Sequence, residues 1–162
     1  MRPEEPGDAD IIFEVTRKAF EGKAYSDGTE ASLVGRLRQA GVLTLSLVAE
    51  ERGEVIGHIG FSPVTLNGRE TNWFGLGPLS VTPERQLQGV GSALVKTGLE
   101  ALKGLGAAGC VLVGDPKYYS RFGFQGASSI FNPAFAAPYL QVLHLEGKMP
   151  QGEVAFHPEF GE

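Results

Sequence analysis

The sequence predicts a mixed α/β (α+β) fold: a central, mostly antiparallel sheet with one parallel strand pair, flanked by helices. Three observations carry this. Segments ending at Ala49, Phe61 and Val81 have strand character and are joined by short turns, which is the pattern of an antiparallel meander. The last of them runs through a glycine-spaced turn into an amphipathic helix and then into Cys110-Val111-Leu112-Val113, a crossover long enough for parallel pairing. Two further amphipathic helices precede the first strand. With 162 residues and 42% hydrophobic content the chain can bury one sizeable core, so residues 1–162 are expected to form a single domain.

In chain order, a short polar segment leads to Asp8 or Asp10 as a helix cap. Ile11, Ile12, Val15, Ala19 and Phe20 then recur at helical spacing. Tyr25 to Thr29 reads as a loop, and a second helix runs from about Glu30 to Ala40 with Leu33, Val34 and Leu37 on one side, stopped by Gly41. Leu43, Leu45, Leu47 and Ala49 alternate as a strand; Arg52-Gly53 turns the chain into Val55 to Phe61, and a loop at Asn67-Gly68 leads to Trp73 through Val81. Pro78 cannot donate a ladder hydrogen bond, and with Gly75 and Gly77 beside it a bulge or break in pairing is expected there.

The next helix is expected to bury Val90, Ala93, Leu94, Thr97, Ala101, Leu102 and Leu105 and to end between Gly104 and Gly106. Cys110 lies in an apolar strand and reads as a small buried hydrophobe. Asp115 followed by Pro116 is an N-cap with proline at the first helical position, so a short helix should carry Tyr118 and Tyr119 and end at Gly123. Two strands close the chain, about Tyr139 to Leu145 and Glu153 to His157.

A formal net charge of -5 argues against nucleic acid or an anionic membrane as the main partner and suits an amine-bearing substrate. One cysteine excludes a disulfide framework, and no His, Cys and carboxylate cluster has metal-ligand spacing, so no catalytic metal is expected. The acidic N-terminus lacks a signal peptide's apolar stretch, and no run reaches membrane length. A soluble, cytoplasmic protein is expected.

The stretch Gln86-Leu87-Gln88-Gly89-Val90-Gly91 is the chemical focus. Glycines let a ligand approach the backbone, and the first amides of the helix that follows lack internal partners at its partially positive end, so the turn is an anion site suited to phosphate. The Rossmann fingerprint needs a third glycine, and the Walker loop needs a lysine where Ser92 follows Gly91 directly. The Gln-x-x-Gly-x-Gly turn resembles the acyl-CoA pyrophosphate loop of the GNAT superfamily of N-acetyltransferases. Tyr119, four residues before Gly123-Phe124, is similar to the signature that follows the second core strand in those enzymes. Further pieces look like the YhbS-like bacterial subgroup, in the expected order: Arg2-Pro3-Glu4, Glu30 to Val34, Leu45 to Glu50, Gly57-His58, Leu76 to Leu79, Gly114-Asp115-Pro116 and His157-Pro158.

The resemblance implies a GNAT-type acyl-CoA N-acyltransferase fold whose parallel strand pair is splayed, with acetyl-CoA as acyl-donor cosubstrate between the strands. Carried onto this chain, it implies that Gln86, Leu87, Gln88, Gly89, Val90, Gly91 and Ser92 form the pyrophosphate cradle. Leu79 and Val81 would pair with the pantetheine arm, and Tyr119 would protonate the departing thiolate. The expected activity is transfer of an acetyl group to a primary amine of unidentified identity by direct attack in a ternary complex. The alternative is a non-catalytic acyl-CoA-binding regulatory or sensory module. Trp73 to Val81 contains no Asp, Glu or His, so the strand before the loop offers no general base, and Glu30, His58 and Glu70 stand as candidates. Acceptor specificity is expected from Glu21 to Thr29 and Ala127 to Pro138, with Tyr25, Asp27, Glu30, Phe131 and Phe135 as candidate pocket residues. Edge strands of a small sheet are compatible with a homodimer.

Overall fold

The computed structural model describes residues 1–24, 26–136 and 138–160. They group into two compact units, Met1–Phe61 with Gly77–Ala101 and Ser62–Leu76 with Leu102–Glu162. The first holds β1 (Arg2–Pro3), α1 (Ala9–Phe20), α2 (Glu30–Gln39) and β2 (Leu45–Glu51). It also holds the start of β3 (Glu54–Leu66), the end of β4 (Arg69–Val81) and most of α3 (Val90–Gly104). β1 lies antiparallel to β2, and β2 to β3, from Leu45↔Phe61 to Glu51↔Glu54. Arg52 (φ 52) and Gly53 (φ 79) are both left-handed, the two-residue turn whose twist matches a hairpin.

Helix faces follow the sequence with two corrections. α1 buries Ile12, Val15, Thr16 and Ala19, while Ile11 is exposed. α3 buries Leu94, Val95, Gly98, Leu99 and Leu102; Thr97 and Leu105, expected inside, are exposed. The cause is Gly98. A Cβ there would meet the Phe61 ring at 2.4 Å, so the helix face is centred on a residue with no side chain, and a count of apolar residues misplaces it. Val34 of α2 joins Ile12 and Val15 over Val48 and Val55 of the sheet. Gly41 (φ 74) ends the second helix turn, its amide bonding the Arg38 carbonyl at 3.1 Å.

The second unit holds the end of β3, the start of β4, β5 (Gly109–Val113), α4 (Pro116–Tyr119), β6 (Gln125–Gly126), β7 (Ile130–Phe131), β8 (Leu140–His144) and β9 (Gly152–Ala155). β5 pairs parallel with β4 at Trp73↔Gly109, Phe74↔Cys110 and Gly75↔Val111, and antiparallel with β8 along its whole length. β6 lies on β8, while β9 pairs antiparallel with β3 and parallel with β7. A Cβ on Gly109 would sit 2.4 Å from the Trp73 indole, which crosses that position and stacks on His144 with centroids 6.4 Å apart. His157 lies beyond β9 rather than in it, and the two-residue strands β1, β6 and β7 escape the sequence because two residues carry no period. β4 is a single strand through Gly77 and Pro78; what ends in this region is the parallel register, at Gly75.

Candidate active site

The glycine-spaced turn leaves the C-terminal end of β4. Pro83–Arg85 form one turn of 3-10 helix, and α3 opens at Val90. The Ala93 amide bonds the Gly89 carbonyl at 3.0 Å, so the preceding amides of the helix's first turn come before its regular ladder. Leu87 (φ 65) and Gly89 (φ 88) both adopt left-handed backbone, and the Leu87 side chain is fully exposed. Space around Gly89 is open, since a Cβ built there meets nothing within 4 Å.

The glutamine side chains hold this shape from within. Gln86 Nε2 donates to the Val81 carbonyl at 2.9 Å, tying the turn to the strand it leaves, and Gln88 Nε2 donates to the Glu84 carbonyl at 3.3 Å. Arg85 Nε donates to Glu51 at 2.9 Å, which ties the turn to the β2–β3 hairpin. Glu51 reads in the sequence as a plain hairpin charge; no spacing links it to Arg85. Along β4, Pro78 and Ser80 are buried and Leu79 and Val81 are half-buried, so Leu79 and Val81 share one strand face. Gln86 to Ser92, expected from the sequence as a cradle, and the strand residues Leu79 and Val81 all belong to the first unit.

Tyr119 belongs to the second unit. Asp115 caps α4 as expected, its carboxylate accepting from the Lys117 amide at 2.9 Å, and Gly123 (φ 97) closes the following 3-10 turn. The Tyr119 ring packs edge-on against Phe124, centroids 6.0 Å apart, and against Tyr118 at 4.9 Å. Gly114 makes room for it, because a Cβ there would lie 2.7 Å from Tyr119 Cε2. Tyr118 differs: the Arg121 guanidinium covers its ring at 4.6 Å. Cys110 is fully buried, and burial pushes its thiol well above the usual range.

The three candidate bases occupy different settings. Glu70 is exposed at the start of β4. Glu30 opens α2 and accepts from the Ser26 hydroxyl at 2.7 Å. It lines a cavity of about 420 Å³ with Asp27, Phe20 and Arg17 at the α1–α2 connection; Tyr25 lies outside the described residues. Phe131 and Phe135 are exposed. His58 is fully buried on β3, with Nε2 2.8 Å from Ser46 Oγ. Ser46 donates to Glu4, which also receives Arg38 Nε at 2.6 Å and Nη2 at 2.9 Å. Burial opposes ionisation of Glu4, but Arg38 and Ser46 outweigh it and hold the carboxyl below its ordinary value. The sequence names His58 alone; Glu4, Ser46 and Arg38 come from three other segments, and no motif spacing joins them. Among the described residues, no helix is long and apolar enough to cross a membrane, and no three His, Cys, Asp or Glu residues gather as a metal site.

Residues 44–126, about half of the chain, match the family model of the acetyltransferase (GNAT) domain. The chain is 44% identical over 129 residues to the uncharacterized N-acetyltransferase YhbS of Escherichia coli strain K12, covering 79% of this chain and 74% of that protein. A GNAT family acetyltransferase from Brucella melitensis, solved in complex with acetyl-CoA, superposes with a TM-score of 0.88 at 50% identity, covering 98% of this chain and 96% of that one. The E. coli YhbS structure in complex with CoA gives a TM-score of 0.91 at 38% identity, covering 99% and 91%. By family model, relatives and fold, this chain belongs to the GNAT family of N-acetyltransferases.

Proposed function

We propose that the protein transfers the acetyl group of acetyl-CoA to a primary amine by direct attack in a ternary complex, with the turn from Gln86 to Ser92 as the pyrophosphate cradle. The observation that carries this is the open, left-handed turn at the β4 C-terminus, held in shape by its own glutamines and leading into the first amides of α3. A pyrophosphate set there accepts hydrogen bonds from backbone groups already in place, at the positive end of the helix. That neighbours at 50% and 38% identity were solved with acetyl-CoA and CoA supports the same cosubstrate here. With the pyrophosphate at the end of β4, the pantetheine arm runs back along Val81 and Leu79, and the thioester comes towards Gly77.

Bound acetyl-CoA supplies an activated acyl group; the chain's own residues position it and manage protons. Tyr119 stands as proton donor to the leaving thiolate. A phenol of pKa about 10 stays protonated at neutral pH and can stabilise or protonate a thiolate whose thiol has a pKa of about 8.5. The buried Cys110, its thiol held protonated, is unsuited to carrying the acyl group, which favours direct transfer.

Calorimetric titration with acetyl-CoA, followed by assay of thiol release with a panel of primary amines, tests the reading. Micromolar binding with amine-dependent release is the expected result. Binding without release from any amine identifies the sensory module instead, and no binding by folded protein removes the acetyl-CoA assignment. Tyr119→Phe is expected to lower kcat by roughly 10²-fold with little change in acetyl-CoA affinity.

A further inference from the structure

We infer that His58 accepts the proton of the attacking amine, held ready by a chain from Ser46 to Glu4 and Arg38; this rests on the transferase reading above. A serine hydroxyl has one proton, and Ser46 gives it to the Glu4 carboxylate, which, ionised beside Arg38, can only accept. Ser46 Oγ therefore has lone pairs and no proton left for His58. The 2.8 Å contact then requires Nε2 to carry the hydrogen and donate it to Ser46. In the neutral ring this leaves the lone pair on Nδ1. Nδ1 is buried and has no hydrogen-bond partner among the described residues. Burying a basic nitrogen without a partner costs stability, and sites that retain such a group commonly use it.

Position supports the role. β3 is the hydrogen-bonded neighbour of β4, whose last residues are the proposed path of the pantetheine arm. A Cβ built on Gly60 lies 3.1 Å from Leu43 Cδ1, 3.4 Å from the Gly77 carbonyl oxygen and 3.5 Å from His58 Cε1, so the imidazole and the strand position proposed for the thioester end border the same spot beside Leu43. The strand from Trp73 to Val81 carries no titratable side chain of its own. The charged groups whose fields reach His58 are Glu4, just after β1, and Arg38 of α2, while the face α1 buries is Ile12, Val15, Thr16 and Ala19.

The proton balance is simple. As the amine nitrogen bonds to the acyl carbon it becomes cationic and strongly acidic. Its N–H bond breaks, an Nδ1–H bond forms, and the thioester C–S bond breaks with its electron pair leaving on sulfur. The resulting imidazolium keeps Nε2–H on Ser46, with the Glu4 negative charge one hydrogen bond further on. Ser46 and Glu4 are thus positioning residues: they fix the tautomer and stabilise the cation without taking the proton, the part an orienting carboxylate plays behind a catalytic histidine. After product release the Nδ1 proton passes to solvent, a step that requires the buried Nδ1 to become accessible during turnover.

The test measures thiol release from acetyl-CoA, with water alone and with the amine panel, for wild type, Ser46→Ala, Ser46→Thr and His58→Asn. Each is also checked for a folded thermal transition. His58→Asn and Ser46→Ala are expected to lower kcat at least 10-fold with the acetyl-CoA KM unchanged, and Ser46→Thr, which keeps the hydroxyl on a strand, to restore it. Imidazole nitrogen shifts of labelled protein are expected to show His58 as the Nε2–H tautomer. An active wild type whose Ser46→Ala variant keeps full kcat, or whose His58 is the Nδ1–H tautomer, overturns the assignment and leaves the transferase standing. A wild type that releases no thiol with any acceptor overturns both.

Discussion

His58 gives the protein a pH dependence that can be predicted from its surroundings. Burial is the main cause that pushes its pKa down to about 4; the Glu4 carboxylate opposes this and Arg38 adds to it. An unfolded histidine titrates near 6.5, so between about pH 6.5 and 4 the unfolded chain binds a proton that the folded chain does not. Stability from this group is therefore complete above about pH 6.5 and is lost as pH falls towards 4, at up to ~1.4 kcal/mol per pH unit. Urea midpoints at pH 7, 6 and 5 should fall accordingly, and His58→Gln, though less stable at pH 7, should show a flatter profile. An equally steep fall in that variant would assign the effect to other groups. At this scale the sequence tells a residue's type but not its company. The buried histidine is legible as a candidate, whereas its tautomer depends on Glu4, Ser46 and Arg38, which only the folded chain brings together.

At the scale of elements, the turn before α3 is the most legible part of the chain, because its signal is local: glycines and glutamines at fixed spacing between a strand and a helix. The least legible is the buried face of α3, where Gly98 marks the closest packing and contributes no hydrophobicity. The turn also carries visible strain. Leu87 holds left-handed backbone, at a cost of order 1–2 kcal/mol, with its side chain fully in solvent. A second L side chain at Gly89 would add a similar cost and put bulk where the cradle is open. Gly89→Val is thus expected to lose roughly 1–2 kcal/mol of stability and to weaken acetyl-CoA binding at least 10-fold. Calorimetry on protein verified as folded separates the two, and unchanged affinity would remove the loop from the binding site.

For the whole molecule, the crossings between the two compact units decide how it unfolds. The chain passes from one to the other at Phe61 to Ser62 within β3, Leu76 to Gly77 within β4, and Ala101 to Leu102 within α3. None of the three is a linker. Separating the units would break two strands and a helix in mid-element, so partial unfolding exposes backbone groups that local structure satisfies. One cooperative transition is therefore expected, with calorimetric and van't Hoff enthalpies equal. Substitutions on either side should move that same transition. Gly98→Val meets the Phe61 ring in the first unit, and Gly109→Val meets the Trp73 indole in the second. Overpacking of this kind costs typically 1–3 kcal/mol, and each should lower Tm by several degrees without splitting the peak. Two resolved transitions, one moved by Gly98→Val and the other by Gly109→Val, would instead show that the units melt independently despite the shared strands and helix.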